Sequence, residues 1–128
     1  MSIKPNLIIV KQLLYAIVYQ PTINRILRNV NKALVPFLPK ALRIPPSGTM
    51  TIHLKDGSFK FKTNQTNYTT QTVFWNGPYA MEYTAIFERL IQHCSCFCDI
   101  GAHAGYYSMI AAAVNPDIRV ISFEPASG

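Results

Sequence analysis

Two acids near the C-terminal end of the chain each close a short apolar run, Asp99 following Phe97 and Cys98, and Glu124 following Val120 to Phe123. Between them a turn of small residues, Gly101, Ala102, His103, Ala104 and Gly105, leads into the helix-forming segment Tyr106 to Val114. Asn115, Pro116 and Asp117 close that segment before the next apolar run, Arg119 to Phe123. The order is strand, glycine-containing turn, helix, strand. A right-handed crossover makes such strands parallel and brings their carboxyl ends, where ligands of open α/β sheets bind, to one edge. Gly101 is expected to permit the tight turn and Gly105 to let the helix approach closely. Unpaired amides at the helix start suit an anionic group, and Glu124 is placed to accept hydrogen bonds from ribose hydroxyls. A nucleoside-containing cofactor is the chemical expectation.

Spacing narrows the choice of cofactor. A dinucleotide fingerprint requires G-x-G-x-x-G, and here His103 stands where the central glycine would let the backbone approach a pyrophosphate. The turn better suits a ligand without pyrophosphate, such as S-adenosylmethionine. The run Phe97 to Ser108, followed by Val120 to Pro125, resembles the FkbM family of methyltransferases over roughly residues 72 to 125. That resemblance implies O-methylation of a hydroxyl, often on a sugar or a natural product, so the acceptor would be a small molecule or glycan. It places Asp99, Gly101 and Gly105 along the methionine end of the cofactor and Glu124 on its ribose. Ala102, His103 and Tyr106 belong to the same candidate cofactor-binding set, with His103 where the family often carries asparagine. Glu82 is a weaker candidate, and the Tyr106 and Tyr107 rings fit packing better than adenine contact. No catalytic base is assigned.

The fold class expected is α/β: the N-terminal part of a Rossmann-like class I methyltransferase fold, preceded by basic helices and a β-hairpin. Sheets of this kind cover both faces and flank the cofactor with more strands than residues 94–125 supply. The far wall of the adenine pocket, the acceptor site and the catalytic base are therefore expected downstream, and these residues alone are expected to be inactive.

The remaining chain divides by composition into a basic helical segment with a proline-rich linker, residues 1–48, and the hairpin with the truncated domain, residues 49–128. With 128 residues, 49% hydrophobic and 14% charged, a compact domain is within reach. The formal charge of +6 is concentrated: no acidic residue occurs from Met1 to Lys55. Apolar residues between Asn6 and Tyr19 suggest a helix that Pro21 ends too early for a bilayer crossing, which takes about 20 apolar residues. Thr22 can cap a second, amphipathic helix carrying Ile23, Ile26, Leu27, Val30 and Leu34, with Arg25, Arg28, Asn29 and Lys32 on its other faces. Packing of its apolar stripe on the domain, with a solvated basic back, is favoured over attachment of residues 1–47 to an anionic membrane surface. Pro36, Pro39, Pro45, Pro46 and Gly48 mark the linker. Alternation of Ile52 and Leu54 with Phe59 and Phe61 around Asp56 and Gly57 marks a hairpin. From Pro78 to Gln92 a helix is expected to bury the stripe Met81, Ala85, Ile86 and Leu90, with Glu88 elsewhere.

Cys94, Cys96 and Cys98 share one strand face, which is poor disulfide geometry, and their spacing with His93 lacks the pairing of a zinc site. They read as reduced, buried small side chains, with no metal site, in a cytoplasmic protein that has a candidate membrane-associated segment. The sequons Asn64 to Thr66 and Asn67 to Thr69 carry no weight without a secretory signal. Nucleic acid is disfavoured because the basic segment lacks a reading motif and interleaved aromatics. Two other functions remain: an NAD-type oxidoreductase or epimerase domain, and a noncatalytic peripheral membrane module.

Overall fold

The structure is a computed structural model that describes residues 10, 13–14, 16–18, 20–37, 39, 43–63 and 66–125. Most of the expected first helix, residues 6–19, lies outside the described residues, although those described between 10 and 18 are helical. The chain is mixed α/β: α1 (Pro21–Leu34), β1 (Gly48–His53), β2 (Ser58–Thr63), α2 (Tyr68–Asn76), α3 (Thr84–Ile91), β3 (Cys96–Ile100), α4 (Tyr106–Val114) and β4 (Arg119–Phe123). β1 pairs antiparallel with β2, and β3 pairs parallel with β4, Cys96 opposite Arg119 through Ile100 opposite Phe123. The expected strand–helix–strand unit and hairpin are both present. Among the described residues, no helix is long and apolar enough to cross a membrane.

The hairpin alternates as expected. Met50, Ile52, Phe59 and Phe61 turn inward onto Tyr106 and Ile110 of α4 and Val73 of α2, forming one core with partly buried Leu54, Phe87 and Tyr107 around it. Its turn differs from the expected Asp-Gly geometry. Leu54 N–H donates to the Gly57 carbonyl at 2.9 Å, so Lys55 and Asp56 are the central pair, and neither has positive φ. Gly57 serves close packing instead: a Cβ there would stand 2.5 Å from the Ala113 carbonyl oxygen of α4.

Lys55 and Asp56 are held by a residue expected on a polar surface. Glu88 is only 3% exposed, and its Oε1 accepts both backbone N–H groups at 3.0 and 3.1 Å while Oε2 accepts from the Tyr79 hydroxyl at 2.7 Å. Helix α3 is rotated accordingly. Thr84, Glu88 and Ile91 face inward, whereas Ile86 and Leu90 are about 60% exposed and Ala85 is exposed, which overturns the expected stripe except at Met81, partly buried against the core. The physical reason is specific: two turn amides and a phenol demand an acceptor, and Phe87 stacks edge-on with Phe97 and Tyr107 at 4.9 and 5.1 Å. The helix is also shorter than expected, because Pro78–Ala80 forms a separate 3-10 turn and Glu82 lies outside α3, exposed.

Helix α2 has no counterpart in the sequence expectation. Its threonines, Val73 and aromatics are poor helix formers, and the ends set it. Asn67 accepts from Thr70 N–H at 3.1 Å as an N-cap, and Gly77 stops the helix at φ 84°. Asn67, one of the sequon asparagines, thus serves a capping contact, while Asn64 lies outside the described residues.

Helix α1 begins with Pro21 at its first turn rather than after a Thr22 cap. It is turned opposite to expectation. Asn24 and Arg28 are buried against the domain, while Ile26, Val30 and Leu34 are 61, 56 and 49% exposed. Polar contacts override the apolar stripe: Asn24 Nδ2 donates to the Pro45 carbonyl and its Oδ1 accepts from Ser47 N–H, and Asn31 Oδ1 accepts from Ile44 N–H. These bonds tie the proline-rich run, with Pro46 buried, along α1.

Candidate functional site at the β3 and β4 carboxyl ends

Parallel pairing brings the ends of β3 and β4 side by side, and the turn 101–105 is laced to them. The Phe123 carbonyl accepts from Gly101 N–H at 2.8 Å and Ala102 N–H at 3.0 Å. Glu124 accepts from His103 N–H at 2.5 Å through Oε2. The acid at the second strand end therefore orders the turn directly. Gly101 and Gly105 have φ values of 77° and 72°, and His103, at φ 50°, is also left-handed. A Cβ at either glycine would meet nothing within 4 Å. Gly105 is thus required by backbone conformation, correcting the expectation that it lets the helix approach. A left-handed backbone at a residue other than glycine is uncommon, so the turn holds His103 in a conformation that asparagine and glycine adopt more readily.

Asp99 points under α4. Its Oδ2 accepts from Ser108 Oγ at 2.5 Å, and Ser108 Oγ lies 2.7 Å from Ser122 Oγ on β4. A polar chain across the face covered by α4 thus fixes Asp99, and neither serine was singled out by the sequence. Their signal is positional: Ser122 pairs with Asp99 in the β3–β4 register. Tyr106 contributes differently from the rest of the candidate set. Its ring is 4% exposed in the core, and its hydroxyl donates to the Pro78 carbonyl at 3.2 Å and lies 3.2 Å from Thr84 Oγ1. Burial raises the Tyr106 pKa, with the Thr84 contact opposing it and neighbouring groups adding to it. Only its main chain, in the first turn of a helix that no side chain caps, faces the site.

Asp99, Gly101, Ala102, His103, Gly105 and Glu124 are therefore brought together, with His103 and Glu124 exposed and Ala102 and Gly105 half-buried. The opposite face of β3 is open. Cys96, Cys98 and Ile100 are exposed, Ile100 at 82%, and Cys94 is exposed as well. The expectation of buried cysteines fails because no second layer covers that face among the described residues. All three thiols are free, and among the described residues no three His, Cys, Asp or Glu side chains are grouped to hold a metal. A cleft of about 840 Å³ lies elsewhere, between α1 and the hairpin, and shares no residue with this turn. No family model matches the chain, and no curated protein or solved structure matches it.

Proposed function

We propose that the β3–α4–β4 unit is the cofactor-binding start of a Rossmann-like, S-adenosylmethionine-dependent methyltransferase that transfers the methyl group to a hydroxyl of a small-molecule or glycan acceptor. The observation that carries this is the bond from His103 N–H to Glu124, which fixes a carboxylate at the end of β4 beside a left-handed, glycine-containing turn. One carboxylate oxygen orders the turn, and the carboxylate as a whole offers ribose hydroxyls their acceptor. The uncapped first turn of α4 offers amide donors to the carboxylate of the cofactor's methionine end. Methyl transfer from a sulfonium is an in-line displacement that draws much of its acceleration from positioning the acceptor. Asp99, held by Ser108, and the turn residues supply the cofactor half of that positioning.

Calorimetric titration with S-adenosylhomocysteine, beside NAD, tests the assignment. Saturable binding of S-adenosylhomocysteine, weakened in Glu124→Gln and absent for NAD, is expected. Binding of NAD in its place would turn the assignment to an oxidoreductase, and binding of neither by the folded chain would count against both.

A further inference from the structure

The cleft between α1 and the hairpin lies apart from the turn at 101–105 and is independent of the cofactor reading. Arg25, Arg28 and Lys32 line it from α1, His53 from β1 and Lys60 from β2, and none of its lining residues is acidic. Arg28 is 4% exposed, yet its Nε and Nη1 are buried with no hydrogen-bond partner among the described residues. Buried donors without acceptors are destabilising, and an unpaired buried charge more so. Arg28 and Lys32 both lie 4.9 Å from the centroid of the Phe74 ring, so two like charges share one aromatic platform. Burial, together with the nearby charge of Arg25, lowers the pKa of the Arg28 guanidinium. Each of these costs falls when an anion enters.

The rotation of α1 adds to this. Apolar burial alone would turn Ile26, Val30 and Leu34 inward, but the structure exposes them and sends Arg28 in, with Arg25 and Lys32 at the cleft mouth. The cleft volume, about 840 Å³, is in the range of small-molecule sites and exceeds what one inorganic ion fills. Several cations converging without a carboxylate favour a dianion over a monoanion. We propose that this cleft binds a phosphate group, borne by a soluble small molecule or by a phospholipid headgroup, with Arg28 as its buried partner and Arg25, Lys32 and Lys60 at its rim.

The full chain is titrated calorimetrically with inorganic pyrophosphate, with acetate at matched ionic strength as control. In parallel it is sedimented with phosphatidylcholine vesicles with and without phosphatidic acid. Pyrophosphate is expected to bind saturably and acetate not to compete. Arg28→Met should weaken binding about ten- to a hundredfold, the loss of charge-assisted hydrogen bonds. Lys32→Gln, at an exposed position that leaves the fold intact, should weaken it about threefold, as for one rim charge. Arg28→Met should melt no lower than the natural chain, because it removes unpaired buried donors. Retention only on phosphatidic acid vesicles, with the same dependence on Arg28 and Lys32, assigns the phosphate to a lipid headgroup. Failure to bind either probe, or binding that neither substitution weakens, overturns the site. S-adenosylhomocysteine binding is independent of both outcomes.

Discussion

Replacing Glu88 by alanine should release the hairpin turn from α3. The carboxylate receives three hydrogen bonds, from Lys55 N–H, Asp56 N–H and the Tyr79 hydroxyl, at 3.0, 3.1 and 2.7 Å. Hydrogen bonds to a charged group contribute about 1.5–3 kcal/mol each when fully buried. Asp56 is exposed and Tyr79 is 40% exposed, so water can reach their freed donors after truncation, while Lys55 N–H keeps a bond to the Tyr79 hydroxyl at 2.8 Å. The discounted loss is about 1 kcal/mol for each of the two donors set free, or about 2 kcal/mol in all. For a domain of this size that lowers Tm by about 7 °C. Glu88→Gln keeps one acceptor for the two amides and loses mainly the charge facing Tyr79, for about 1 kcal/mol. Urea unfolding followed by circular dichroism measures both, with the slope m expected to be unchanged. An alanine variant within about 0.5 kcal/mol of the natural chain, or a glutamine variant as damaged as alanine, would refute the latch.

Gly57→Ala should cost about 1–3 kcal/mol in the same assay, because its Cβ would press into the Ala113 backbone rather than into a flexible side chain. Cys94, Cys96 and Cys98 should all react with a thiol reagent in the folded chain at the rate of the urea-unfolded chain; slow thiols would place a cover on β3. Tyr106→Phe should cost about 1 kcal/mol near neutral pH through loss of the Pro78 and Thr84 contacts. Burial raises the folded pKa of Tyr106 above its ordinary 10.0, so its stabilising contribution is present below that value and is lost as pH rises toward the folded pKa. The melting gap between the natural chain and Tyr106→Phe should therefore narrow above pH 10.0, and a gap constant with pH would contradict it.

Local chemistry was enough for the parts of the chain whose partners are near in sequence. Alternation placed Ile52, Phe59 and Phe61 on one hairpin face, and the order of apolar runs and glycines around Asp99 and Glu124 anticipated a strand–helix–strand unit that the parallel register bears out. Left-handed turn positions were legible at Gly101, where glycine has its own conformational reason. Periodicity also found amphipathic faces on α1 and α3, yet it could not say which face would turn inward. Asn24 and Arg28 on α1, and Glu88 on α3, are buried because distant backbone groups and rings meet them there: Pro45 and Ser47, Phe74, and the turn at Lys55 and Asp56. Gly57 read as a turn residue, but its neighbour Ala113 lies on α4, and only the packed chain shows that a side chain has no room there. The same holds for Ser108 and Ser122, ordinary polar residues in sequence that become the support of Asp99 once β4 lies beside β3. Spacing along a chain records local geometry, whereas hydrogen-bond demand and steric room are set by elements that meet only on folding.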